Sequence, residues 1–150
     1  MNSFDALNAF AAQLERNVTG GGFHTKVVVT PSAVNEKGLV IKVSVLKTCI
    51  QTEPRGIHAS RTLRVRVSVE GTAESMTGLQ QALSAIEAVD RFLVSPNLRL
   101  ERADGTGVPN SRIIQTIVQE DSFFDSPDST SVQNVQDDRF VVITIPEGGC

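Results

Sequence analysis

Residues 39 to 47 read Leu-Val-Ile-Lys-Val-Ser-Val-Leu-Lys, and residues 61 to 70 read Arg-Thr-Leu-Arg-Val-Arg-Val-Ser-Val-Glu. In both stretches β-branched residues alternate with polar ones, and a period of two indicates a strand with one apolar and one polar face. Residues 51 to 58, between them, carry a central Pro and Gly, which central strands tolerate poorly. The sequence therefore predicts a β-hairpin arm over residues 39–70 that protrudes from a small domain.

The rest of the chain predicts two helices and four further strands. Helices are predicted over residues 3–17 and 75–94, where apolar residues recur at spacings of three and four. The stripe positions are Phe4, Leu7, Phe10, Ala11 and Leu14 in the first helix, and Leu79, Ala82, Leu83, Ile86, Val89, Phe92 and Leu93 in the second. Short strands are predicted over residues 26–30, 98–102, 112–119 and 139–145. The order α-β-β-β-α-β-β-β predicts an α+β fold, with two helices on one face of a mostly antiparallel sheet.

Length and composition narrow the class of protein. A chain of 150 residues predicts one domain that buries its own core. The net charge of −3 is spread along the chain and offers no general attraction to nucleic acid. Cys49 and Cys150 are expected to be free thiols. No N-terminal signal pattern is present, and no apolar stretch approaches the roughly 18 residues that span a bilayer. We therefore expect a cytoplasmic protein, or one assembled from the cytoplasm, with no membrane partner.

No catalytic residue, metal site or cofactor is predicted from the sequence. His24 and His58 lack the clustered thiols or carboxylates of a metal site, and surface positions are expected for both. The glycine run 20–22 follows a helix rather than a strand, and no Gly-Lys-Ser/Thr comes after it, so it is expected to be a linker. Asp104 begins an Asp-Gly-Thr-Gly turn that lacks the further ligands of a calcium loop.

Six of the 14 cationic residues fall in the predicted hairpin. They are Lys42, Lys47, Arg55, Arg61, Arg64 and Arg66. Alternation places Lys42, Arg64 and Arg66 on the polar face, which predicts a positive outer surface on the sheet. Two interpretations remain open. The face is either solvated and blunts pairing between sheet edges, or it is a contact surface for an acidic neighbouring subunit or for passing DNA.

Residues 121–138 are polar and predict a long loop, which is usually functional or disordered. The acidic residues of this region are Glu120, Asp121, Asp125, Asp128, Asp137 and Asp138. Scattered carboxylates are typical of a solvated, mobile segment. The alternative is a partner-binding loop that orders on assembly and supplies the complement of the cationic hairpin. Charges of opposite sign across a contact contribute register and specificity more than affinity.

The layout of the whole chain resembles that of the tail terminator, or tail-completion, proteins of tailed bacteriophages and related prophages. Those proteins open with an amphipathic helix like Phe4 to Leu14, followed by a short strand ending in Pro, like residues 27–31. Two long strands joined by a protruding loop come next, like residues 39–50 and 59–70. A second helix, like residues 77–94, then packs on the sheet, and further strands close the domain.

The resemblance implies a structural virion protein of the tail or neck, assembled in the host cytoplasm, rather than an enzyme. Such proteins form a ring, here expected to be a hexamer, on the last ring of tail-tube subunits. The ring stops tube growth and presents a surface to the head connector. In contractile tails it also holds the end of the sheath, and DNA passes through its hole as cargo. The six hairpin cations are then expected to contact neighbouring subunits or the tube.

Two other function classes remain open at this stage. One is a different head–tail connector or tube-related virion protein, for which the same hairpin and loops would serve. The other is an α+β protein that binds a small molecule, which predicts a concave pocket with convergent polar groups. A physical argument supports the hypothesis that the protein assembles with copies of itself. A two-stranded arm is weakly stable alone, so sister copies are expected to cover its apolar face. A ring repeats one heterologous contact until it closes.

Overall fold

A computed structural model describes residues 1–18, 25–30, 39–52, 59–116, 123–125 and 133–146. Over these residues the chain forms two helices and six strands in the order α-β-β-β-α-β-β-β. The elements are α1 (Ser3–Val18), β1 (Val27–Val29), β2 (Val40–Thr52), β3 (Ala59–Ala73), α2 (Met76–Leu93), β4 (Arg112–Gln115), β5 (Phe123–Asp125) and β6 (Gln133–Ile145). The α+β class predicted from the sequence is confirmed.

The strands belong to one sheet ordered β1-β2-β3-β6-β4, with β5 also paired to β6. Only β1 and β2 are parallel, and the other described pairings are antiparallel. The mostly antiparallel sheet is therefore confirmed. β3 lies in the middle, because it pairs with β2 on one side and with β6 on the other from Arg61–Ile145 to Ala73–Gln133.

The predicted hairpin exists, but its base is not a free arm. β2 and β3 pair antiparallel as expected. Their apolar side chains at Ile41, Val43, Val65 and Val67 are 0% exposed and belong to the same core cluster as the buried faces of α1 and α2. The expectation that sister copies cover this apolar face is therefore wrong for these residues, since the chain's own helices cover it.

The two helices begin with caps that the sequence suggests. The Asp5 backbone N–H donates to Asn2 Oδ1 at 2.7 Å, and the Gly78 N–H donates to Ser75 Oγ at 3.1 Å. Each cap satisfies a backbone donor that the first helical turn leaves unpaired. The helices also pack on each other, with the Phe10 and Phe92 ring centroids 6.3 Å apart.

Two residues of the predicted apolar stripes are exposed instead. Phe4 is 68% and Leu83 is 43% exposed, so neither side chain belongs to the buried side of its helix. Four positions of the predicted α2 stripe are buried: Ala82, Val89, Phe92 and Leu93. The stripe omitted Ala85 and Ala88, which are also buried, because small alanines carry little hydrophobic signal.

The strand predicted over residues 98–102 is not formed. The segment makes one ladder bond to β4, from Ile113 N–H to Leu98 O at 2.9 Å, and one isolated bridge between Glu101 and Gly107. A tight turn intervenes at Asp104, whose Oδ1 accepts bonds from Thr106 N–H at 2.9 Å and Thr106 Oγ1 at 2.6 Å. These bonds lower the pKa of Asp104. The predicted turn is confirmed, and it leaves too little extended chain for a strand.

The prediction of a loop over residues 121–138 is wrong at the C-terminal end of that range. Residues 133–138 belong to β6, and residues 123–125 form β5, a strand that the sequence did not predict. Asp137 and Asp138, assigned to a solvated loop, are 1% and 7% exposed. The polar sequence around these two residues gives no strand signal, but their backbone pairs with the central strand β3. Tertiary pairing here overrides a low local strand propensity.

Asp137 is tolerated on the helix-covered side because an ion network binds it. Arg139 Nη1 lies 3.0 Å from Asp137 Oδ1. The same guanidinium donates from Nε to Asp90 Oδ1 at 2.8 Å and from Nη2 to Asp90 Oδ2 at 3.2 Å. The fork-like pair with Asp90 ties β6 to α2. Its hydrogen bonds raise the pKa of Arg139 further above its already high value.

The network predicts a pH dependence of stability. Burial raises the pKa of Asp137 above its ordinary value of 3.8; Arg139 opposes the shift, while the Asp90 and Asp138 charges add to it. Between the two pKa values the folded chain binds more protons than the unfolded chain, so the free energy of unfolding falls as pH rises through that window. We expect this slope in denaturant titrations of the wild type at a series of acidic pH values, and not in Asp137→Asn. Parallel curves for the two proteins would contradict the assignment.

Candidate assembly surface

Both described helices pack on the face of the sheet that carries Ile41, Val43, Val65 and Val67, and we call the opposite face the open face. Cross-strand pairing assigns side chains to it, because directly paired residues lie on the same side of a sheet. One row joins Lys47, Arg64, Val142 and Ile114. The next row joins Ser44, Arg66 and Phe140. The open face thus mixes cations with apolar side chains near the distal end of the hairpin.

A β-bulge decides which residues of β2 reach this face. The register shifts between Val45, which pairs with Val65, and Lys47, which pairs with Arg64, so Leu46 is the extra residue. Unbroken alternation from Val43 and Val45 would have placed Lys47 on the helix-covered side. A bulge adds one residue to one strand and changes the phase beyond it. Four of the six predicted cations therefore share the open face: Lys42, Lys47, Arg64 and Arg66.

The other predicted site residues lie elsewhere. Arg61, which was predicted only as a contact residue, belongs to the helix-covered side, is 6% exposed and donates from Nη1 to Ser3 Oγ at 2.8 Å. Asp137 lies on the helix-covered side as well. Asp125 lies in β5. The residues outside the described part of the chain are Arg55, Glu120, Asp121 and Asp128.

Charge on the open face is polarised along the strands. At the distal end Lys47 and Arg64 are exposed, and neither has an ion-pair partner among the described residues. At the opposite end Lys42 Nζ lies 2.7 Å from Glu70 Oε2. Asp138 is also at this second end, where it pairs with Ser68. The structure therefore leaves the distal cations available to a partner and neutralises Lys42 within the chain.

The distal end also exposes apolar surface that the sequence did not single out. Leu46 is 49% and Ile114 is 47% exposed. Leu46, Arg64, Thr116, Phe140 and Val142 border a shallow hollow of about 280 Å³. The sequence does contain a sign of this surface. Residues 140–143 are all apolar, so both faces of that strand carry apolar side chains and both are expected to be buried by other groups. We call Leu46, Lys47, Arg64, Phe140 and Val142 the edge patch.

The outer edge of β2 lies beside the edge patch. β1 pairs with β2 only at residues 41–43, and Thr30 adds one bond from its N–H to Val43 O at 3.1 Å. From Val45 onward, no described strand pairs with this edge of β2. Val45 itself is 41% exposed although its partner Val65 is fully buried. An unpaired edge with exposed apolar residues is a ready template for another chain.

A second hollow, of about 500 Å³, lies at the outer edge of β4. Asn97 and Arg99 border it on one side, and Asn110 and Arg112 border it on the other. We call these four residues the β4 hollow. Neither arginine side chain has an ion-pair partner in the described residues, and no carboxylate lines the hollow. The sequence reasoning missed it because residues 98–102 were assigned to a strand.

The described ranges offer neither a metal cluster nor a membrane-spanning helix. No group of three or more His, Cys, Asp or Glu side chains is placed to hold a metal ion. Neither α1 nor α2 has the length and hydropathy of a membrane-spanning helix.

Comparisons with known proteins found likenesses among solved structures. No protein-family profile matches the chain, and no curated protein matches it in sequence. The fold is similar to that of a chain in the solved structure titled "Virion of native gene transfer agent (GTA) particle". The TM-score is 0.49 at 14% identity, and the match covers 98% of this chain and 100% of the other.

Proposed function

We propose that this chain is a structural virion protein that assembles through the distal end of its sheet and acts as a tail terminator. In that role it forms a ring that caps the tail tube, stops its growth and joins it to the head connector. The observation that carries the proposal is the outer edge of β2 from Val45 onward, which no described strand pairs with and which lies beside the exposed Leu46. The layout of the chain, described above, supplies the particular role.

The edge patch has the composition of a protein contact. Leu46, Phe140 and Val142 contribute apolar surface to the hollow, and Arg64 borders the same hollow. Arg and aromatic side chains in water-excluding surroundings dominate the energetics of many interfaces. Because the base of the hairpin is covered by its own helices, the proposed contact surface is its distal end rather than the whole arm.

The remaining cations of the open face set the polarity of the proposed contact. Lys47 is paired with Arg64, and Arg66 lies in the next row of the open face. Lys42 lies further along β2, toward the base of the hairpin. They would attract an acidic neighbour and disfavour a basic one. Arg55, which lies in sequence between β2 and β3, is proposed as a tube or subunit contact, whereas Arg61 serves the fold through its bond to Ser3.

A ring follows from contacts of this kind when two different surfaces meet. A heterologous interface generates a closed ring if its rotation closes, and an open filament if it does not. The proposed partners are other copies of this chain, in a ring expected to contain six, the tail-tube protein and the head connector. In a contractile tail the sheath would join them, and DNA would pass only as cargo.

Native mass spectrometry and negative-stain electron microscopy of the purified protein test the proposal. We expect a closed oligomer, formed alone or when tail tubes are added, and rings at the ends of tubes of uniform length. A protein that remains monomeric over all accessible concentrations and does not bind tail tubes would overturn the proposal.

Replacing Leu46 with Glu is expected to weaken assembly by at least about tenfold. Burying an uncompensated carboxylate in an apolar contact carries a large free-energy cost. Leu83→Glu is the matched control, because Leu83 is 43% exposed on α2, away from the open face. Sedimentation velocity should show a shift toward monomer for Leu46→Glu alone. Equal assembly of both variants would exclude the edge patch as a contact.

A further inference from the structure

We infer that the β4 hollow of one copy binds the carboxylates of an acidic segment, residues 117–132, of a second copy. The inference rests on the proposed self-assembly and names the pair of surfaces that meet. The β4 hollow differs from the edge patch in its place in the strand order. The hollow lies at β4, the last strand beyond β6, whereas the edge patch begins at β2.

Backbone pairing brings the two arginines of the hollow together. Arg112 lies in β4 opposite Thr144, and the bond from Ile113 N–H to Leu98 O places Arg99 on the adjacent segment. Both side chains are exposed and border the same hollow of about 500 Å³. Two guanidinium groups without a carboxylate nearby form an anion site, because planar N–H forks match oxyanions.

The backbone on both sides of the hollow is held in place before any ligand arrives. Gln13 is 1% exposed, donates from Nε2 to Arg99 O at 2.9 Å and accepts from Glu101 N–H at 3.0 Å. Ser111 Oγ accepts from Leu100 N–H at 3.0 Å and donates to Val108 O at 2.7 Å. A site held in this way loses less conformational freedom on binding.

Two asparagines in the left-handed region complete the rim. Asn97 has φ 55° and Asn110 has φ 58°, a conformation that Asn adopts more readily than most residues. Their side-chain amides add neutral donors beside the two guanidinium groups. A volume of about 500 Å³ is of the size that holds several ligand groups rather than one small ion. The ligand is therefore a segment carrying more than one carboxylate.

This chain contains a segment of that chemistry. Residues 117–132 include Glu120, Asp121, Asp125 and Asp128, and contain no Lys, Arg or His. Four negative charges in sixteen positions complement two arginines that have no ion-pair partner among the described residues. A duplex DNA backbone would favour a continuous cationic track, but the exposed neighbour of Arg112 along β4 is the apolar Ile114. The charges therefore favour a protein carboxylate over a phosphate.

Strand β5, which belongs to the acidic segment, pairs with β6 far from the hollow of the same copy. Arg112 is level with Thr144 of β6, whereas Phe123 is level with Gln136, roughly 26 Å away at about 3.3 Å per residue. Glu120 is three residues from Phe123 and can lie at most about 11 Å from it along the chain. Asp125 pairs still further along β6, with Asn134. A second copy is therefore the source of the carboxylates.

A charge-exchange experiment tests the inference on full-length protein. The hollow variant is Arg99→Glu/Arg112→Glu, the segment variant is Glu120→Arg/Asp121→Arg, and Arg91→Glu on α2 is the matched control. We expect self-association at least about tenfold weaker for the hollow variant alone and for the segment variant alone, because each sets like charges against each other. An equimolar mixture of the two variants should regain association, because every hollow then meets a segment of opposite charge. Arg91→Glu should behave as wild type.

The outcomes separate this inference from the proposed function. If wild type assembles and the hollow variant assembles equally well, the inference fails and the proposed function stands. If the wild type never assembles, both fail. If each variant loses association but the mixture does not recover it, the pairing of hollow with segment is excluded. A gel-shift arm uses short duplex DNA: loss of DNA binding in the hollow variant, with unchanged self-association, would replace the carboxylate with a phosphate and overturn the inference.

Discussion

Replacing Arg139 with Met is expected to lower the free energy of unfolding by about 3–5 kcal/mol, the typical effect of removing one partner from a buried ion pair. The Arg139 side chain is 13% exposed and bridges Asp137 on its own strand to Asp90 on α2. Without the guanidinium, Asp137, which is 1% exposed, loses its neutralising charge. Denaturant unfolding followed by circular dichroism measures the loss.

Two further variants make the Arg139 result specific. Arg91→Met removes an exposed arginine of α2 and should change stability by less than about 0.5 kcal/mol. Adding Asp137→Leu to Arg139→Met should recover part of the loss, because an apolar pair avoids the cost of desolvating charge. The loss should also shrink in acid, where Asp137 is protonated. If Arg139→Met matched Arg91→Met, the network would not stabilise the fold.

Replacing Gln13 with Leu is expected to cost about 2–4 kcal/mol, although Leu has the higher hydrophobicity and a good helix propensity. Gln13 satisfies the carbonyl of Arg99 and the N–H of Glu101, and Leu leaves both without a partner. Each buried polar group left unpaired costs about 1–3 kcal/mol. Thermal unfolding measures the total loss, and hydrogen exchange of the Glu101 amide should show faster opening at this segment.

The same substitution should also affect assembly, since Gln13 holds the backbone that carries Arg99. We expect weaker self-association of Gln13→Leu at a temperature where it remains folded. Gln80→Leu is the matched control, because Gln80 is exposed on α2 and no described contact depends on it. Unchanged Glu101 exchange in Gln13→Leu would show that the two bonds do not hold this segment.

Local patterns predicted the elements whose physical cause is local. Alternation in β2 and β3, the helical spacing of Leu7, Phe10 and Leu14, and the capping residue Ser75 each act within a few residues of chain. These elements and their order are confirmed, as is the turn at Asp104. The side of α2 that faces the sheet was less predictable, because alanines that allow close packing carry little hydrophobic signal.

The candidate surface could be predicted only in part. Arg64 and Arg66 were assigned to the outer face by alternation alone, and the pairing of β3 places them there. Lys47 reached the same face for a different reason, the bulge at Leu46, which depends on the partner strand. The burial of Arg61 was not predicted, because its hydrogen-bond partner Ser3 lies 58 residues earlier in the chain.

The amino-acid order alone was sufficient for the α+β class, the hairpin and the helix ends, because hydrophobic period and capping are properties of neighbouring residues. It was not sufficient for the strand at Asp137 and Asp138, the phase change at Leu46 or the meeting of Arg99 with Arg112. Each of these depends on partners that are distant in sequence: the central strand β3, the guanidinium of Arg139 and the ladder bond to Leu98. Burial and charge pairing depend on contacts between residues that are distant in sequence, and only the tertiary structure determines those contacts.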